Sequence, residues 1–187
     1  MPFVVRHKSM VAAQLAKKHP GAHVVDLTSK APEPWIRFSP FFPHGGIPVP
    51  FTPGRTAASV EGIWQGLKVF ESTDVDEATL ANERMRGLKR TVRRFGPCLG
   101  HRRGLHGADL LGYVEARWVI YLPTYRWLLS ERLADEVAEL RALEAGHDGD
   151  VVLLDYAVNE DPDDPSRPLS HAGLVRAWLE DRWPERP

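Results

Sequence analysis

Residues 31–55 hold seven prolines and three glycines, and no other stretch limits the fold as much. Proline lacks an amide donor and fixes its own backbone, so this segment is neither a helix nor a central strand. It also carries Trp35, Phe38, Phe41, Phe42 and Phe51. That much apolar surface predicts a loop packed against the protein, the sort of compact loop that builds sites on a rigid scaffold.

Regular structure is expected on either side. A short helix fits 9–19, opening at Ser9 and stopping before Pro20-Gly21, and His23–Leu27 reads as a short buried strand. Val60, Ile63, Trp64, Leu67 and Phe70 share one face of a helix over 57–71, capped by Thr56 or Ser59. A second helix is expected over 76–95, and a glycine-rich loop over 96–112. Residues 114–132 read as helical, with Pro123 ending or kinking the helix near Leu122. A further amphipathic helix starts at Leu133 and ends at Gly146. Val151–Tyr156 is too short for a helix and reads as a strand, and Ser170 caps a last helix carrying Leu174, Trp178 and Leu179. The pattern predicts an α+β protein, mostly helical, with a small β-sheet in a single domain spanning 1–187.

A chain of 187 residues is long enough to bury a core without staples. Its net charge of −1 gives no overall pull toward nucleic acid or membrane. The single cysteine, Cys98, excludes an intrachain disulfide. With no apolar run of membrane-spanning length and no signal-peptide pattern at the start, a cytoplasmic protein with no membrane partner is expected.

Glu61, Gln65 and Lys68 fall at i, i+4 and i+7 of the helix expected over 57–71. Glu61 and Lys68 are then roughly 10 Å apart along its axis, too far to pair directly but able to address one ligand. Spacing alone favours a solvated stripe, as on any amphipathic helix. Arg84, Arg86, Lys89, Arg90, Arg93, Arg94, Arg102 and Arg103 crowd the segment 84–103. That density fits either a phosphate-binding face or a solvated helix. His101, His106, His147 and His171 lack tight metal-ligand spacing, so no metal site is expected.

Phe38–Pro43, the turn at Gly54 and the run Ser59-Val-Glu61 to Gln65-Gly-Leu-Lys68 resemble, in order and separation, the motifs of the NADAR (YbiA-like) superfamily. Ala116–Tyr121, Trp127–Leu129 and Val152–Asp155 resemble its later helices and strand, which gives a motif-bearing core of about 35–161. Pro40 replaces the family's Asn, Gly62 replaces its His, and no Trp-Gly follows the late strand.

The resemblance implies hydrolysis of a base–ribose N-glycosidic bond in a nucleotide-like or phosphorylated metabolite, with no cofactor. Glu61, Lys68 and Asp155 are the implied catalytic residues, and Arg37, Ser39, Phe41, Trp64, Gln65 and Arg117 the implied substrate contacts. Trp64 also suits the core, Asp155 a strand-end cap and Arg37 an ordinary surface. Family members that remove ADP-ribose from guanine make ADP-ribosylated DNA an alternative substrate. Non-catalytic nucleotide binding, or an interaction protein without a small ligand, are the alternatives from other classes. The oligomeric state is not legible.

Overall fold

The structure is a computed structural model and describes residues 2–146 and 148–186. In chain order the elements are β1 (Phe3–His7), α1 (Ala12–Lys18), β2 (His23–Asp26), a 3-10 turn (Trp35–Phe38), β3 (Ile47–Pro48), β4 (Thr56–Ala57), α2 (Val60–Gly66), β5 (Lys68–Phe70), α3 (Glu77–Leu80) and α4 (Val92–Phe95). There follow β6 (Cys98–Arg102), β7 (Leu110–Leu111), α5 (Tyr113–Ala116), a π-helical stretch (Arg117–Tyr121), α6 (Leu122–Glu131), α7 (Ala134–Ala145), β8 (Val151–Asp155) and α8 (His171–Leu179). The fold class is α+β. The chain divides into two compact units: one runs up to Ser39 and resumes at Leu133, and the other spans Pro40–Arg132.

The first unit is built on a parallel sheet in the order β1-β8-β2. Its central strand, Val-Val-Leu-Leu-Asp, is buried at every position, as expected of a parallel strand covered on both faces. Phe3 and His23 both align with Val151, and His7 aligns with Asp155. The strand β1 was not anticipated from the sequence. Parallel strands need a crossover, which α1 supplies between β1 and β2. Leu15 of α1 packs on Val152 and Leu154. His19 ties the end of this helix down: Nδ1 lies 2.6 Å from Asp150 Oδ2, and Nε2 accepts from Arg6 Nε at 2.9 Å. That pairing fixes the Nδ1–H tautomer. The expected helix and strand after Leu133, and the Ser170 cap on α8, are all present.

The second unit holds a β3–β4 hairpin, an antiparallel sheet in the order β5-β6-β7, and α2 to α6. The proline-rich segment packs down as expected, with Phe38, Ile47 and Val49 buried, although Phe51 stays exposed. The helix expected over 57–71 is shorter. It is flanked by β4 and β5, so Lys68 starts a strand and is not on the helix. All seven residues of α2 are buried, which overturns the solvated-stripe reading for Glu61 and Gln65. Glycines permit that burial. A Cβ at Gly66 would come within 2.1 Å of Leu80 Cδ1 and 3.1 Å of Asp76 O, and one at Gly62 within 3.1 Å of Thr79 O. A histidine at position 62, as in the NADAR pattern, would press against the Thr79 carbonyl.

The helix expected over 76–95 is reduced to α3 and α4. Side chains take the backbone groups that a continuous helix would use. Asn82 Oδ1 accepts from Arg84 N at 2.8 Å, Asn82 Nδ2 donates to Arg86 O at 3.0 Å, and Gln65 Oε1 accepts from Arg90 N at 3.1 Å. Gly87 turns the chain with a φ of 74°. The loop expected over 96–112 contains β6 and β7, whose close approach depends on Gly100: a Cβ there would lie 2.6 Å from Leu111 O. Pro123 does not end its helix. It lies in the first turn of α6, where a missing amide costs least, after the π stretch has absorbed the irregularity. No helix among the described residues is long and apolar enough to cross a membrane.

Gly66→Val is expected to cost about 1–3 kcal/mol by overpacking α2 against Leu80. Urea denaturation measures it, and an unchanged midpoint would show that this contact carries no packing constraint.

Candidate active site

Helix α2 is the scaffold. Ser59 caps it, its Oγ accepting from Gly62 N at 2.9 Å. Glu61 N donates to Pro40 O at 2.8 Å, so the chain around Phe41 is tied to the helix. Buried polar groups need partners, and those of α2 form a chain. Gln65 Nε2 donates to Glu61 Oε1 at 2.8 Å, and Gln65 Oε1 holds the amide of Arg90. Glu61 is only 8% exposed.

Arg90 closes the far end of the helix. Its Nη1 donates to Lys68 O at 2.6 Å and to Gln65 O at 3.3 Å, and its Nη2 donates to Asp74 O at 2.7 Å. The guanidinium carbon also lies 5.1 Å from the centre of the Phe70 ring and 5.3 Å from that of Phe95. Arg90 therefore satisfies carbonyls that the last turn of a helix leaves open.

Lys68 leads β5 directly opposite His101 of β6. Burial pushes the Lys68 ammonium below its ordinary pKa. The Glu61 charge opposes that fall, while Arg90 and Lys89 add to it. His101 is 1% exposed and stacks on Trp64 with ring centres 3.9 Å apart. Neither of its ring nitrogens makes a well-formed hydrogen bond. Burial, and then the charge of Lys68, lower its pKa to about 3, against only a weak opposing contact with the Trp64 backbone. His101 is thus neutral at physiological pH. Tyr113 and Tyr121 meet Trp64 edge-on at 5.7 and 5.6 Å. Arg117 is buried over the Tyr113 ring at 4.5 Å, and its Nη2 donates to the Tyr113 hydroxyl at 3.2 Å. Lys89 lies 5.6 Å from the centre of the Phe41 ring.

The second unit thus contains Glu61, Trp64, Gln65, Lys68, Arg117 and Phe41, and couples Glu61 to Gln65 by a bond and to Lys68 by charge. Arg37, Ser39 and Asp155 belong to the first unit. There Arg37 Nε sits 2.9 Å from Glu136 Oε1, and Ser39 is buried. Asp155 receives four donors: Tyr156 N on Oδ1, and Ser170 Oγ, Ala172 N and His171 Nδ1 on Oδ2. His171 Nε2 lies 2.8 Å from Leu27 O, which only accepts, so both ring nitrogens donate and the imidazole is positively charged. Burial opposes both charges, but the pair overcomes it. Asp155 is held down to about 2, and His171 is raised above its ordinary value.

Sequence reasoning missed Arg90, which it placed within a basic cluster, and the role of His171. The only sequence hint for Arg90 is its place two residues after the buried Leu88. His147 lies outside the described residues.

The profile of a family of unknown function, DUF6939, matches residues 7–175. The chain belongs to this family. No curated protein and no solved structure matches it. The DUF6939 match covers both the α2 cluster and the Asp155–His171 pair.

The pair sets a pH window for this DUF6939 protein. Asp155 is depressed on folding, so its contribution is present above its unfolded value of 3.8 and is lost as pH falls toward 2. His171 is raised, so its contribution is full below its unfolded value of 6.5 and is lost as pH rises through the higher folded value. Thermal melts should therefore plateau between these two unfolded values and decline on both sides. A His171→Gln melt that keeps the whole alkaline decline would rule out His171 as its source.

Proposed function

We propose that the protein is an N-glycoside hydrolase that cleaves the base–ribose bond of a nucleotide-like or phosphorylated metabolite, as its resemblance to the NADAR superfamily implies. The observation that carries this reading is the buried Glu61 carboxylate, oriented by Gln65, with the charge of Lys68 close enough to feel it.

The chemistry asks for such a pair. The bond between C1′ and the base nitrogen breaks, leaving an oxocarbenium-like sugar. Glu61 stabilises that positive charge and directs a water to C1′, and a negative charge acts more strongly in poorly solvated surroundings than in water. The departing base needs a proton, and an ammonium whose pKa burial has lowered is a better donor than a solvated lysine. Water supplies the new hydroxyl, and the one proton it releases replaces the proton that Lys68 gives to the base. Phe41, half-buried, offers a ring for a base, while the buried Trp64 and Arg117 would support the site from behind. No cofactor enters the reaction.

A second reading is removal of ADP-ribose from guanine in DNA. It is favoured by the basic segment 84–103, which contains no acidic residue. A non-catalytic nucleotide-binding module is the reading from another class.

The test is incubation with a panel of nucleotides and ADP-ribosylated oligonucleotides, with mass spectrometry of released base. Glu61→Gln keeps the shape and the bond to Gln65 and is expected to slow release by about 100- to 10,000-fold. A nucleotide that binds and stays intact with both proteins identifies a binding module instead. Full release by Glu61→Gln would remove Glu61 from the chemistry.

A further inference from the structure

The segment from Arg84 to Arg103 holds eight of the chain's 24 basic residues and none of its 25 acidic ones. It is a positive pole in a chain of net charge −1. Two of the eight bond to backbone or acid, and Arg103, like Lys89 and Arg94, lies over a ring. Arg90 closes α2, Arg102 Nη2 pairs with Asp74 Oδ2 at 2.7 Å, and Arg103 lies 4.7 Å over the Phe51 ring. Arg84, Arg86, Lys89, Arg93 and Arg94 are exposed, and none of them reaches a carboxylate. Arg94 lies over Phe95 at 4.9 Å. Exposed cations elsewhere do find acids, as Arg55 finds Glu77 and Arg182 finds Glu180.

A solvated helix face is the usual explanation of such a run, but most of this segment is not helical. Between α3 and α4 it is a built turn. Asn82 clamps Arg84 N and Arg86 O, Leu88 is buried, and the amide of Arg90 is held from α2. Arg84 and Arg86 line an open depression of about 780 Å³ with Ala78, Asn82, Met85 and Gly87. The far end of the strip adjoins Lys68, whose ammonium feels the charge of Lys89. Holding five like charges on this turn and the short α4 without counter-charges opposes folding, and a polyanion would relieve it.

We propose that the strip from Arg84 to Arg94 is a docking surface for the phosphate backbone of single-stranded nucleic acid. Reading a duplex groove takes a helix or a two-stranded ribbon. The only helix in the strip, α4, has four residues. Scattered cations with an aromatic-backed arginine suit a flexible strand with unpaired bases. The assignment is independent of the hydrolase reading, since it concerns binding and not bond cleavage.

The test is fluorescence anisotropy with labelled oligothymidylate and oligouridylate of about 20 nucleotides, titrated between about 50 and 200 mM salt. Each phosphate contact contributes about −0.7 to the slope of log affinity against log salt, so five cations set a limit near −3.5. Arg84→Gln combined with Arg86→Gln should reduce the slope by about 1.4 and weaken binding about 10- to 100-fold at the low-salt end. Lys89→Gln combined with Arg93→Gln should do the same, so the result does not depend on one variant. Lys17→Gln combined with Lys18→Gln, exposed on α1, should leave both quantities unchanged. Binding of either oligonucleotide with this pattern supports the proposal, and a preference between them names the strand. No binding at the low-salt end, slopes unmoved by both strip variants, an equal loss in the Lys17/Lys18 control, or tighter binding of a duplex overturns it.

Discussion

The guanidinium of Arg90 is the contact on which the second unit depends. The helix α2 is buried along its whole length and ends inside the protein, where its last carbonyls have no water to meet. An open carbonyl in such a place costs about 1–3 kcal/mol. Arg90 meets several of these groups at once and rests on two phenyl rings. Its backbone amide meanwhile fixes Gln65, and Gln65 fixes Glu61. The orientation of the candidate catalytic carboxylate is thus set from a residue 29 positions away in the chain.

The first unit solves a related problem with opposite means. Its central strand ends in a buried carboxylate, and a helix start is brought against it. Ser170 caps α8 and also donates to Asp155, while His171 brings a positive charge and reaches on to Leu27. One acid therefore joins the end of β8, the start of α8 and, through His171, the chain after β2. A neutral residue at position 155 would leave His171 a buried charge without its partner.

Elements with a strong period and their own punctuation were legible from the sequence. These include β8, α7, the Ser170 cap and the packed character of the proline-rich segment. What failed was continuity. Residues 57–71 and 76–95 have helical periodicity, yet within the latter the side chains of Asn82 and Gln65 capture the backbone at Arg84, Arg86 and Arg90. Periodicity records which face is apolar and is blind to such captures. The same blindness made Glu61 and Gln65 look like a solvated stripe. The glycines at 62 and 66 carried the contrary signal, because two small residues one turn apart mark a face that something approaches closely. Arg90 was hidden by its neighbours, since one buried arginine among exposed ones has no compositional mark.

The π-helical stretch from Arg117 to Tyr121 sets the rotational phase of the helix that contains it. Tyr113 lies before the stretch and Tyr121 at its end, eight residues apart, and both meet Trp64 edge-on. On a regular α-helix an interval of eight leaves side chains about 80° apart around the axis, whereas seven residues make nearly two full turns and return to the same side. A wider turn that absorbs one residue lets eight positions act as seven. The extra residue works as a phase adapter: it brings both tyrosines to one wall around Trp64, while Tyr125, one turn further on, stacks behind Tyr121. Turning this stretch into a regular α-helix without removing a residue would rotate everything after it by about 100° and take one side of that wall away.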